Sequence, residues 1–354
     1  MQVGTPFRIS LNNNLHPVLL LLAVATSQLA HSQSAVCDAA AAHFQAHRWS
    51  DAAQAYAECE KITPENSDAH LYRGKALVNV GDFAGAVKEL DVYLATQPNS
   101  DDALYLLGYV RFRQDQPRES LETFARASKV HPPQASDLKI AALDYVLLND
   151  YTSAARYLEQ SLAMDPADNE ALYHLGRVRY QQNRFDLAIT AFETLLRREP
   201  GNLKAEDNLG LCLEATGNSG AAISAYRKAI EMDTKAEAHT AEPYLNLGKL
   251  LNTLNRESEA LPELTQATKI NETSAPAHYE LGRAEFALNR LEQARAQLEQ
   301  AAELDPHNSA PHYLLGRVLS RMGKQQEAAA EFKLTENLIR EKDAKSGQGM
   351  ASPR

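Results

Sequence analysis

The chain reads as an all-α solenoid of about nine helix-turn-helix units, and three observations carry that reading. Small residues recur every 34 positions in two registers, and a proline closes most intervals in a third. Aromatic residues make up only 7% of the 354, against abundant alanine, leucine, glutamate and glutamine, a balance that favours helices over sheets.

The first register is glycine: Gly74, Gly108, Gly176, Gly210, Gly248, Gly282 and Gly316 lie 34 residues apart, or twice that where Ala142 intervenes, with one step of 38 after Gly210. Twelve residues after each comes Ala86, Ser120, Ala154, Ala188, Ala222, Ala260, Ala294 or Ala328. Small side chains in both registers predict the close crossing of two helices. Between them stand turn signals at Gly81, Gly217 and Gly323, where glycine takes the left-handed conformation that ends a helix. An aromatic clip follows several turns, at Trp49, Phe83, Tyr151 and Phe185. Pro64, Pro98, Pro132, Pro166, Pro200 and Pro306 then close their units, because proline cannot donate the bond that helix continuation requires.

Leu172 to Pro200, LYHLGRVRYQQNRFDLAITAFETLLRREP, carries all these features, and on it the chain resembles the tetratricopeptide repeat family over about residues 34–341. The resemblance implies a right-handed superhelical solenoid whose first helices line a concave groove for a partner protein or peptide. Units are expected near 33–66, 67–100, 101–134, 135–168, 169–202, 203–240, 241–274, 275–308 and 309–341. The first is degenerate, with Ala40 in its glycine position. Thr234, Glu272 and Arg340 replace closing prolines, and four extra residues around Ala238 to Ala241 lengthen the sixth junction. The last helix is expected to cap the array near Lys342, leaving 342–354 as a disordered tail.

Residues 1–32 belong to a different regime. Arg8 is their one charged residue, an apolar core runs from Val18 to Ala25, and Ala30-His31-Ser32 supplies small residues for cleavage. The pattern is that of an export signal cut near Ser32, giving a periplasmic or extracellular protein; an uncleaved anchor or a misassigned start are the alternatives. Membrane contact is expected only through this segment if it stays uncleaved. Export makes an oxidising compartment relevant to the three cysteines. Cys37 and Cys59 fall on opposite arms of the first hairpin, where they form either a disulfide or two buried thiols, and Cys212 reads as a core residue.

The formal net charge of -10 excludes nucleic acid as the main partner. No phosphate loop, nucleophile elbow or His-Glu-x-x-His pattern is present, so no enzyme, cofactor or metal is expected. His70, His278 and His312 occupy a large packing slot of the first helix, and His43 and His47, spaced i, i+4, have no third ligand at zinc spacing.

Binding is expected in the groove of units five to nine. Arg177, Lys249, Arg283 and Arg317 each follow the register glycine, and with Tyr173, Tyr180, Tyr279, Tyr313, Asn208 and Asn246 they form the candidate site. Cations on one inner ridge suit an acidic or carboxylate-bearing peptide. The alternative is that they pair with Glu170, Glu214, Glu242 or Glu280. A family carboxylate clamp for chaperone tails is incomplete, because Leu143 and His174 stand where asparagines belong after Lys139. The expected function is an exported interaction scaffold or adaptor in envelope assembly or secretion. A non-catalytic regulatory subunit of an envelope peptidase or glycosyltransferase is the alternative.

Overall fold

A computed structural model describes residues 35–64, 66–235 and 239–349. The export segment lies outside them. The described residues form eighteen helices: α1 (residues 35–45), α2 (Trp49–Ile62), α3 (Ser67–Val80), α4 (Phe83–Thr96), α5 (Asp101–Arg113), α6 (Pro117–Ala127), α7 (Ala135–Leu147), α8 (Tyr151–Met164), α9 (Asn169–Gln181), α10 (Phe185–Arg198), α11 (Leu203–Ala215), α12 (Ser219–Asp233), α13 (Glu242–Thr253), α14 (Glu257–Ile270), α15 (Ala275–Ala287), α16 (Leu291–Leu304), α17 (Ser309–Arg321) and α18 (Gln325–Gly349). They pair into nine hairpins, an all-α repeat architecture. The chain divides into two compact units after Ala167, with α1–α8 in the first and α9–α18 in the second.

Within each unit every hairpin packs its two helices together, and the first helices of neighbouring hairpins also touch, as in α3 with α5 and α15 with α17. That second contact makes the first helices an inner layer. In the first unit Leu71, Leu90, Leu104, Leu107 and Val110 form the core; in the second, Leu247, Leu251 and Leu264 form one cluster and Leu298, Leu315 and Val318 another.

The small registers have a different division of labour from the one expected. The residue that fills the space over each register glycine is not the alanine twelve positions on but a large side chain sixteen positions on. A Cβ on Gly176 would come within 2.7 Å of the Phe192 ring, and one on Gly316 within 2.7 Å of the Phe332 ring. The register alanines are fully buried at the crossing nonetheless, Ala86, Ala188 and Ala294 among them. Glycine thus makes room for a ring or leucine, and alanine for helix backbone.

Every hairpin turn also uses one left-handed residue. His47, Gly81, Asp115, Asn149, Asn183, Gly217, Asn255, Asn289 and Gly323 have φ between 55° and 89° and follow the same 34-residue step, with the one step of 38. Asparagine and aspartate visit this region more readily than other non-glycine residues, so they do what glycine does in three of the turns. His47 therefore lies in the turn after α1, off the helix that carries His43. The two histidines do not share a helical face. His43 Nδ1 instead accepts from Arg48 Nε at 3.0 Å.

The histidine slot is also more than packing. Nδ1 of His70, His278 and His312 lies 2.7, 2.7 and 2.8 Å from Glu89, Gln297 and Glu331, each nineteen residues on, tying the two helices of a hairpin by a polar contact. Finally, α18 continues to Gly349 past the expected end of the array near 341. Among the described residues no helix is long and apolar enough to cross a membrane.

Candidate functional site

The inner layer carries two pockets of opposite character, both in the second unit. The first, of about 740 Å³, is built by α15 and α17 with Phe332 of α18 as a wall. Tyr279 and Arg283 reach it from the middle of α15, and Phe286 follows one turn later. Tyr313, Arg317 and Arg321 stand four residues apart on α17, one face of that helix. Arg317 and Arg321 place their guanidinium carbons 5.1 and 4.9 Å from the Phe286 ring centroid, so two cations flank one aromatic ring. Arg317 also lies 6.0 Å from the Tyr313 ring, and Tyr313 packs against Phe332.

Among the described residues no carboxylate lines this pocket. Arg283 pairs with Glu280, at 3.3 Å from Nη1, and Glu280 also accepts from Asn252 Nδ2 at 3.0 Å. Burial pushes the Tyr279 hydroxyl above its ordinary pKa, so it remains a neutral donor. Three arginines and four aromatic rings offer charge, planar donors and apolar area to an anionic group on a bulky chain.

The second pocket, of about 910 Å³, lies on α9, α11 and the junction into α13. Tyr173, Arg177 and Asn208 line it, but so do Glu170, Asp207 and Glu242. Arg177 sits 5.9 Å over the Tyr173 ring, Asn208 Nδ2 donates to Lys204 O at 2.8 Å, and Asn246 Nδ2 donates to both oxygens of Asp207 at 3.0 and 3.1 Å. Burial, reinforced by the Glu242 charge and offset by that amide, raises the Asp207 carboxyl to about 6.

The expected site residues are therefore divided. Tyr279, Arg283, Tyr313 and Arg317 share one pocket; Tyr173, Arg177 and Asn208 share the other, whose wall is acidic. Asn246 is not among the lining residues but donates to Asp207, which is. Lys249 is exposed on α13 and lines neither pocket, and Tyr180 packs edge-on against Phe185 at 5.5 Å, outside both. Instead of one ridge of a single sign there are two separate charges. Of the alternative acidic partners, Glu280 holds Arg283 within the same helix, whereas Glu214 accepts from the Tyr226 hydroxyl at 2.9 Å. Phe286, Arg321 and Asp207 went unnoticed in the sequence; the first two follow Arg283 and Arg317 at i+3 and i+4, a spacing that could have found them.

Cys37 and Cys59 are joined in the structure, with sulfurs 2.00 Å and Cα atoms 5.1 Å apart, and Cys212 is a buried free thiol. Among the described residues, Glu60, His70 and Glu89 bring ligand-type atoms within 4.8 Å of one another. A guanidinium already serves them: Arg73 Nη1 contacts Glu60 at 2.7 Å and Glu89 at 2.8 Å.

Comparison with known proteins agrees with this architecture. Models of the tetratricopeptide repeat match residues 43–101, 102–133, 141–202, 175–237, 241–274 and 282–323. The chain is 24% identical over 278 residues to a DnaJ homolog subfamily C member 7 homolog of Schizosaccharomyces pombe, covering 70% of this chain and 58% of that one. It is 23% identical over 179 residues to the BBSome complex member BBS4 of Bos taurus, covering 50% and 34% respectively. The chain thus spans less than two thirds of the length of these relatives. Among solved structures, a tetratricopeptide repeat protein from Parabacteroides merdae superposes with a TM-score of 0.58 at 18% identity, over 72% of this chain and 99% of that one. The C-terminal part of a TPR repeat-containing protein from Cytophaga hutchinsonii gives 0.57 at 15%, over 69% and 98%. These likenesses show the fold. With matches running through the hairpins from α1 to α17, the chain belongs to the tetratricopeptide repeat family, whose stacked hairpins are scaffolds for protein–protein interaction.

Proposed function

We propose that this protein is an exported adaptor that captures an acidic, carboxylate-bearing segment of a partner protein in the pocket of α15 and α17. The observation that carries the reading is the absence of any carboxylate among residues that include Arg283, Arg317 and Arg321, on a chain of net charge -10. Two of these arginines bracket Phe286, which holds them in place and limits the side-chain entropy lost on binding. A segment alternating acidic and aromatic side chains fits both features. The composition of residues 1–32 and the Cys37–Cys59 bond support export, and a role in envelope assembly or secretion follows from it.

Hsp70-Hsp90 organizing protein 1 of Glycine max is 23% identical over 129 residues, covering 36% of this chain. The incomplete clamp at Leu143 and His174 favours a partner other than a chaperone tail.

The test uses a fluorescein-labelled peptide alternating aspartate and phenylalanine, read by fluorescence anisotropy. Joint replacement R283E and R317E is expected to weaken binding by at least tenfold, about 1.4 kcal/mol or more, with helical content and melting temperature unchanged. Undiminished binding by the double variant would overturn the assignment of this pocket.

A further inference from the structure

The acidic pocket sits where the repeat loses its period. The 38-residue step from Gly210 to Gly248 puts four extra residues between α12 and α13. Asp233, fully buried at the end of α12, ties down their far side. Its carboxylate accepts from the Thr240 backbone N–H at 2.8 Å and the Tyr244 hydroxyl at 3.2 Å, and faces His239 Nδ1 at 3.1 Å. Glu242, at the start of α13, and Thr240 just before it line the pocket together with Tyr173 of α9. Insertions in repeat arrays commonly map to the binding face.

Asp207 is the second observation. It is 7% exposed yet forms part of the pocket lining. Its carboxylate, with acceptor capacity for about four hydrogen bonds, meets a single amide donor group, that of Asn246. The adjacent Glu206 shows the ordinary remedy, since Lys228 Nζ lies 2.7 Å from it. Burying a carboxylate without a cation is costly, and that cost falls when a ligand brings the charge. Glu170, Glu199, Asp233 and Glu242 add negative potential around the same space, against Arg177, Lys204 and His174.

We infer that this pocket binds a basic side chain, lysine or arginine, of a partner polypeptide, with the cation on Asp207 and the aliphatic stem along the Tyr173 ring. The stem gains apolar contact with the ring while the head replaces water at the carboxylate. This site is separate from the arginine pocket of α15 and α17 and stands or falls independently of it.

Fluorescein-labelled tetralysine and the same peptide with acetylated side chains test the inference by anisotropy. Acetylation should weaken binding to the unaltered protein at least tenfold. D207N should weaken tetralysine binding by a similar factor, while E303Q, which removes one exposed charge elsewhere, and R283E with R317E should leave it within twofold. Equal affinity for the two peptides, or equal losses in D207N and E303Q, would overturn the site. Should D207N fail to fold, the acetylation comparison on the unaltered protein decides alone. Spermine binding that depends on Asp207, without Asp207-dependent tetralysine binding, would overturn the polypeptide assignment.

Discussion

Ser120 has one hydroxyl proton and two oxygen neighbours. Its Oγ lies 2.9 Å from the Gly108 carbonyl and 2.6 Å from Asp144 Oδ2, with both side chains fully buried. A protonated Asp144 satisfies both contacts, its acid O–H donating to Oγ while Oγ donates to the carbonyl; an ionised one would accept from Oγ instead. Burial agrees, raising the Asp144 carboxyl to about 7, and Oδ1 has no partner to support an anion. Because the folded pKa exceeds the unfolded one of about 4, this group's contribution is fully present below pH 4. It is lost as pH rises through about 7. D144N keeps a donor toward Ser120 and removes the titration. Thermal unfolding should find it close to the unaltered protein at pH 5 and more stable at pH 8, by about 1–3 kcal/mol; a variant less stable at both values would show that the carboxyl is ionised in place. At this scale the sequence was least legible. Ser120 reads simply as a small residue in an alanine register, and nothing near it marks Asp144 as its partner across two helices. The left-handed turns were legible only where glycine filled them, because Asn149 or Asn183 is equally at home on a helix surface.

Hairpins were the most legible elements, since many of their boundaries have a local cause. Asp82, Ser100, Asp150, Asp168 and Asn202 cap their helices by accepting from a backbone N–H three residues on. The α1–α2 hairpin carries a staple. Ala40 stands in its glycine position, and its packing rests on Ala52, Tyr56 and an edge-on contact of Phe44 with Trp49 at 5.2 Å. The Cys37–Cys59 bond closes a separation of 22 residues, which in the chain-entropy model stabilises by about 3 kcal/mol. Thiol titration of denatured, unreduced protein should find one free cysteine, Cys212. Replacing Cys37 and Cys59 by serine should raise amide exchange across α1 and α2 by roughly a hundredfold, with α9–α18 unaffected. Three free thiols in protein taken from an oxidising compartment would remove the staple from the account.

The period that makes the array legible also hides its charge pattern. Equivalent positions predict which residues face inward, and Arg177, Arg283 and Arg317 do line pockets of the inner layer. The sign of each pocket depends on residues from other registers and other helices: Asp207 and Glu242 around Arg177, Phe286 and Arg321 around Arg317. A stripe drawn through one register cannot show that. If both pockets take the proposed ligands, one partner segment carrying a basic and an acidic stretch would meet both, in one direction. Joining tetralysine to the aspartate–phenylalanine peptide through a Gly/Ser linker turns the second contact into an intramolecular one, with an effective concentration that rises once the linker spans the pockets and then falls slowly. The joined peptide should bind at least a hundredfold more tightly than either part at an optimal linker length. D207N combined with R317E should then cost less than the sum of the two single losses, because removing either pocket already cancels the gain. A joined peptide no tighter than its better half at every linker length and in both orders would mean that the pockets serve different partners.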